Sequence, residues 1–115
     1  SGAYGTAKAA VVALTGQLAM ELGKYNIRAN ALAPSVIATE GNRFLWEDPA
    51  RQKEIETEIP LGRLCTPEEL ANVGLFLASD GASYVSGRTI IIDGGSMWVG
   101  ASNPPPKNDA TSLAG

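Results

Sequence analysis

Histidine is missing from this 115-residue chain, and cysteine occurs once, at Cys65. Without His, no Ser-His-Asp or Cys-His machine can be assembled from these residues, so acid–base chemistry falls to carboxylates, Lys, Tyr or water. One cysteine makes no internal disulfide and no cysteine zinc cluster; no metal site is expected, and a reducing, cytoplasmic setting is favoured. Cations are also scarce. Nine Lys and Arg stand against twelve Asp and Glu, a net charge of −3, and they are scattered singly, which argues against a nucleic-acid partner. No apolar run approaches the roughly 18 residues of a bilayer span, and no basic-then-apolar leader opens the chain, so no membrane partner is expected. Methionine first occurs at Met20, inside a helical pattern, while the chain opens on Ser1; a piece of a longer chain is expected.

What is present is an ordinary globular proportion of 44% hydrophobic residues, arranged in recognisable periods. From Gly2 to about Tyr25, Val11, Leu14, Leu18, Leu22 and Tyr25 recur at steps of three and four, which predicts an amphipathic helix. Tyr4, Lys8 and Thr15 fall on the same inward stripe, and Gly5, Ala9, Ala13 and Gly16 form a second, small-residue strip where a helix or partner subunit could approach. Gly23 loosens the last turn, and Asn26 stops it. Ile27–Ala33, closed by Pro34, predicts a short buried strand. Ser35 to Leu61 reads as irregular apart from a short polar helix opened by Asp48-Pro49 and running to about Glu58. Thr66-Pro67-Glu68-Glu69 is a capping box that starts a second long helix, with Leu70, Val73, Phe76 and Leu77 as its apolar face. Arg88–Asp93 predicts a second buried strand, cut off by Gly94-Gly95. Cys65 is expected to be a plain loop residue, and Arg63 to cap or pair locally. The last fifteen residues, with Pro104-Pro105-Pro106, offer little that could pack and are expected to form a flexible tail.

Strand, crossover helix, strand is the order of a parallel α/β unit. Two strands are too few for a stable sheet, so the inventory is expected to be one end of a larger doubly wound α/β domain. Residues 1–100 are expected to belong to that one domain and 101–115 to the tail.

Tyr4 and Lys8 stand four apart on the first helix and project side by side. An ammonium held beside a phenol favours the phenolate, which lowers the phenol's pKa toward the range useful for acid–base work. Alone, Tyr-x-x-x-Lys is a weak signal. Five segments in order are not: Ser1-Gly2-Ala3-Tyr4-Gly5-Thr6-Ala7-Lys8; Ile27-Arg28-Ala29-Asn30-Ala31-Leu32-Ala33-Pro34 with Thr39; Ile59-Pro60-Leu61-Gly62-Arg63; Thr66-Pro67-Glu68-Glu69; and Ser86-Gly87 with Asp93-Gly94-Gly95. Together they strongly resemble the C-terminal part of a short-chain dehydrogenase/reductase, from Ser1 to about Gly100.

That resemblance implies the C-terminal portion of a Rossmann-type doubly wound parallel sheet, two strands with flanking helices, its N-terminal nucleotide-binding half absent, and an NAD- or NADP-dependent oxidoreductase interconverting an alcohol and a ketone or aldehyde. It implies that Tyr4 is the general acid–base, and that Lys8 lowers the phenol pKa and hydrogen-bonds the nicotinamide ribose hydroxyls. Pro34, Ser35, Val36, Ile37 and Thr39 would line the nicotinamide, Ile37 through backbone groups and Thr39 through its hydroxyl. The family usually has Pro-Gly where this chain has Pro34-Ser35. Asn42 to Leu61 would be the substrate loop, with Phe44 and Trp46 as apolar walls. The family's glycine-rich turn, relay Asn and carbonyl-polarising Ser lie upstream of the tyrosine and are not among these residues, so the chain alone is not expected to hold a dinucleotide firmly. A homodimer or homotetramer is implied, through the helix carrying Tyr4 and the last strand. The alternative is a truncated, non-catalytic assembly module. Within the enzyme class a 3-oxoacyl-thioester reductase stands beside a sugar, polyol or steroid dehydrogenase.

Overall fold

The computed structural model of the chain describes residues 2–35, 37 and 40–96, without the side chains of residues 2–4, 42, 44 and 45. The tail, residues 101–115, lies outside the described residues. Two compact units are present among the described residues, one built from residues 2–34 with Glu68–Ile92, the other from the described part of Ser35–Pro67 with residues 93–96.

In the first unit α1 spans Gly2–Leu22. Its abundance of Ala and lack of Pro favour a long uninterrupted helix. A single 3₁₀ turn, Gly23–Tyr25, tightens its end. Asn26 then takes the left-handed conformation (φ 61°), its N–H donating to Gly23 O at 2.9 Å while Ile27 N–H donates to Leu22 O at 3.2 Å. That is a Schellman-type stop, with Asn in the place where glycine is commonest. Strand β1, Ala31–Pro34, pairs in parallel with β2, Thr89–Ile92, in the register Ala31↔Thr89 to Pro34↔Ile92. Helix α4, Pro67–Ala78, followed by a 3₁₀ turn at Asp80–Ala82, lies between the strands in sequence. Ala82 is fully buried.

Several expected details shift. The first strand starts at Ala31, not Ile27, because the partner strand begins only at Thr89; before it, the backbone bond from Gly87 N–H to Ala29 O and the Ser86 and Asn30 side chains hold the chain. Both strands are half-buried, with Ile91 40% exposed. Helix α1 is apolar around most of its circumference rather than amphipathic. Thr15 is its buried residue and donates to Val11 O at 2.7 Å, whereas Leu14 (56% exposed) and Tyr25 (63%) lie off the inward face. Ala19 belongs to that face: a β-carbon on Gly87 would meet Ala19 Cβ at 3.2 Å. On α4 the inward residues are Leu70, Val73, Gly74 and Leu77; Phe76 sits about 100° away and is exposed.

In the second unit a 3₁₀ turn at Glu40–Asn42 leads into a one-turn helix α2, Arg43–Trp46, where an irregular stretch was expected. Arg43 accounts for it locally, pairing with Glu40 and Glu47, each at 3.2 Å and three or four residues away. Helix α3, Pro49–Glu56, starts as the sequence predicts, with the Asp48 carboxylate accepting from Ala50 N–H at 3.1 Å.

The core of this unit joins two of the sequence motifs. Ile59 and Leu64 are buried, and Leu61 N–H donates to Gly94 O at 3.1 Å. Asp93 Oδ1 accepts from Gly95 N–H at 3.0 Å, closing the turn after β2. Gly94 has φ 62°, and a β-carbon there would fall 2.7 Å from Ile59 Cγ2. Left-handed strain and overpacking therefore add at one residue, so Gly94→Ala is expected to destabilise the protein by about 2–4 kcal/mol in denaturant unfolding. A loss below about 0.5 kcal/mol would mean that the turn is not closed this way.

Candidate active site

Helix α1 puts Tyr4 and Lys8 one turn apart on the same side. The Tyr4 side chain lies outside what is described. Lys8 is exposed rather than buried, which corrects the expected inward ammonium: a charged head on a long flexible stem need not enter the apolar face.

A groove of about 240 Å³ runs between α1 and the strands, lined by Ala7, Lys8, Val11 and Val12 on the helix and by Leu32, Ala33, Pro34 and Thr89 on the sheet. Lys8 is the charged residue in an otherwise largely apolar lining. Ala33 and Pro34 are the last two residues of β1, so Lys8 borders the groove that reaches the carboxyl end of a parallel strand, where ligands of open α/β sheets bind. Val12 and Thr89 were not singled out by the sequence; the helical period, extended by one residue, would have found Val12.

Of the residues assigned to the cofactor, Pro34 closes β1 opposite Ile92 and is half-buried, and Ser35 follows it exposed to solvent. Among the described residues Asn26 alone carries a side chain on a left-handed backbone, so Ser35 occupies the usual glycine position without that strain. Ile37 forms an isolated parallel bridge with Cys65. Cys65 is therefore more than a plain loop residue: its backbone anchors the segment after β1, and its Sγ lies 3.3 Å from Thr66 O. Arg63 donates to Leu64 O at 3.3 Å, the local role expected of it. Val36 and Thr39 lie outside the described residues. Trp46 is half-buried with the Arg43 guanidinium 6.0 Å from its ring centre, and the Phe44 side chain lies outside what is described. No cluster of metal-ligating side chains occurs among the described residues.

Residues 1–97 match the family described as enoyl-(acyl carrier protein) reductase. The chain belongs to the short-chain dehydrogenase/reductase family. Dehydrogenase/reductase SDR family member 4 of Bos taurus is 46% identical over 96 residues, 84% of this chain and 34% of the relative. Among solved structures, a 4-hydroxyisoleucine dehydrogenase complexed with NADH superposes with a TM-score of 0.77 at 36% identity, covering 83% of this chain and 39% of that one. The Pseudomonas aeruginosa RhlG/NADP active-site complex gives 0.76 at 37% identity, over 82% of this chain and 38% of that one. The chain thus spans about a third of the length of the curated relatives it matches. The parallel pair with its helices is part of a short-chain dehydrogenase/reductase Rossmann-type α/β fold. No helix among the described residues is long and apolar enough to cross a membrane.

The donor set suits part of a nicotinamide dinucleotide. An ammonium with three donors, beside the carboxyl end of a parallel strand, matches a ribose diol, and the apolar lining matches a flat ring.

Proposed function

We propose that the protein carrying this chain is an NAD- or NADP-dependent oxidoreductase that interconverts a small alcohol and its ketone or aldehyde. The observation that carries this reading is the placement of Lys8. In a short-chain dehydrogenase/reductase, it stands one turn from Tyr4 and borders the groove at the carboxyl end of β1.

The bound nicotinamide supplies or accepts the hydride. The proton transfer to and from substrate falls to Tyr4 of this chain, supported by Lys8. In reduction the Tyr4 hydroxyl gives its proton to the carbonyl oxygen; in oxidation the phenolate takes the proton of the alcohol. The Lys8 ammonium favours the phenolate and donates to the ribose hydroxyls, a dual role that needs a compact cation on a flexible stem. Pro34, Ser35, Val36, Ile37 and Thr39 line the nicotinamide, Ile37 through backbone groups and Thr39 through its hydroxyl; the Ile37–Cys65 bridge supports this by tying the segment down at its centre. Trp46 and Phe44 form apolar walls of the substrate loop. The protein works in the cytoplasm as a homodimer or homotetramer, in keeping with the open strip on α1, where a β-carbon on Gly5 or Gly16 would meet nothing within 4 Å.

Hydride transfer followed by nicotinamide absorbance, with free alcohols, ketones and acyl thioesters offered in parallel, tests the reading. Turnover of one of these classes is expected with either NAD(H) or NADP(H). Failure of all of them with both cofactors would leave the non-catalytic assembly role in its place.

A further inference from the structure

Asn30 is a polar residue in an apolar strand sequence, half-buried at the entrance to β1. Its Nδ2 donates to Val85 O at 2.9 Å, and its Oδ1 accepts from Arg88 N–H at 3.1 Å. One residue further on, Ala31 N–H donates to Arg88 O at 2.9 Å, and the ladder begins at Ala31↔Thr89. Both backbone polar groups of Arg88 are thus satisfied from consecutive residues of the other strand, the first by the Asn30 side chain.

This matters because little else in the pair distinguishes one register from the next. The ladder is four residues long and parallel, the weaker kind of pairing per residue. Strand β2 reads Thr-Ile-Ile-Ile, so a slip by one residue that moved the partners of Leu32 and Ala33 forward to Ile91 and Ile92 would still set isoleucine opposite both. Arg28 also reaches this corner, Nη1 to Val85 O at 3.2 Å and Nη2 to Ser79 O at 3.3 Å, but its long stem tolerates a shift. Ser86 Oγ accepts from Ala29 N–H at 3.2 Å, and a hydroxyl rotates to follow. Gly87 N–H donates to Ala29 O at 2.7 Å, a backbone bond shared by the whole register. The short planar amide of Asn30 offers a donor and an acceptor in fixed geometry, which Asp, Ser and Leu do not.

We propose that Asn30 is the positioning residue that fixes the register of the β1–β2 pair and thereby the point at which the chain leaves the sheet, Pro34, for the cofactor-binding segment. The second half of this statement rests on the dinucleotide reading above.

The test uses Asn30→Asp in the protein carrying this chain. That substitution keeps the shape and the acceptor for Arg88 but sets a carboxylate oxygen against Val85 O; Asn30→Ser serves if the first variant does not fold. Amide hydrogen exchange over 31–33 and 89–92 is read beside the dissociation constants of NADH and NADPH. Faster exchange in both strands is expected, together with cofactor binding weakened about tenfold or more. Unchanged exchange would overturn the assignment of register to Asn30. Faster exchange with cofactor affinity unchanged would reduce Asn30 to a structural residue and overturn its positioning role. A wild-type protein that binds neither cofactor would overturn the dinucleotide reading and the positioning role with it, while the exchange data would still decide who sets the register.

Discussion

Tyr4→Phe is expected to lower kcat by about 10²–10⁴ while cofactor affinity stays within about twofold of wild type. The substitution deletes one oxygen and leaves the ring. A phenol that only packed would be replaced at little cost, whereas a phenol that moves the proton has no substitute in this chain. His is absent, and the cation nearest along the same helix face, Lys8, is proposed to act on the phenol rather than on substrate. Steady-state turnover in both directions, with cofactor titration of the same preparation, measures the two quantities separately. A fully active Tyr4→Phe enzyme would remove the acid–base assignment, and a variant that lost turnover and cofactor binding together would point to damage of the helix start.

Lys8→Ala is expected to differ in kind: kcat falls about 100-fold and the cofactor dissociation constant rises about tenfold. Both follow from the two jobs proposed for one ammonium. Removing it withdraws the charge that favours the phenolate and the donors that meet the ribose hydroxyls, and a charge-assisted hydrogen bond of about 1.5–3 kcal/mol corresponds to tenfold or more in affinity. Because Lys8 is exposed and its helix continues well beyond it, Ala at this position leaves α1 intact. Lys8→Arg should restore little, since a planar guanidinium on the same stem cannot place three donors as a compact ammonium does. Loss of turnover with unchanged cofactor affinity would restrict Lys8 to the proton chemistry.

The parts of the molecule set by local chemistry were legible in the sequence. Asn26 as a stop, Asp48 as a cap, the start of α4 at Pro67 and the Asp93-Gly94-Gly95 turn all depend on a few neighbouring residues, and each stands where its residues place it; the parallel pairing followed from the strand–helix–strand order. What was not legible depends on partners distant in sequence. Nothing within Ile27–Asn30 reveals that the ladder waits for Thr89 before it begins. Thr15 stands on the inward stripe of α1 where the sequence puts it, but the helix carries apolar side chains around most of its surface, so periodicity alone could not keep Leu14 and Tyr25 off that stripe. Cys65 looked inert because its part is played by its backbone, in the bridge to Ile37. Asn30 read only as one residue of the first strand, because its two partners at Val85 and Arg88 appear only once the chain is folded.

The central claim is that this chain supplies the proton while a nicotinamide carries the hydride. Offering the protein an alcohol deuterated at its carbinol carbon, with NAD or NADP, and reading the mass of the reduced cofactor tests it most directly. One deuterium transferred from substrate to the nicotinamide ring in every turnover, greatly slowed in Tyr4→Phe, is the predicted result. A cofactor that gains no deuterium, or gains it as fast without the Tyr4 hydroxyl, would contradict the account.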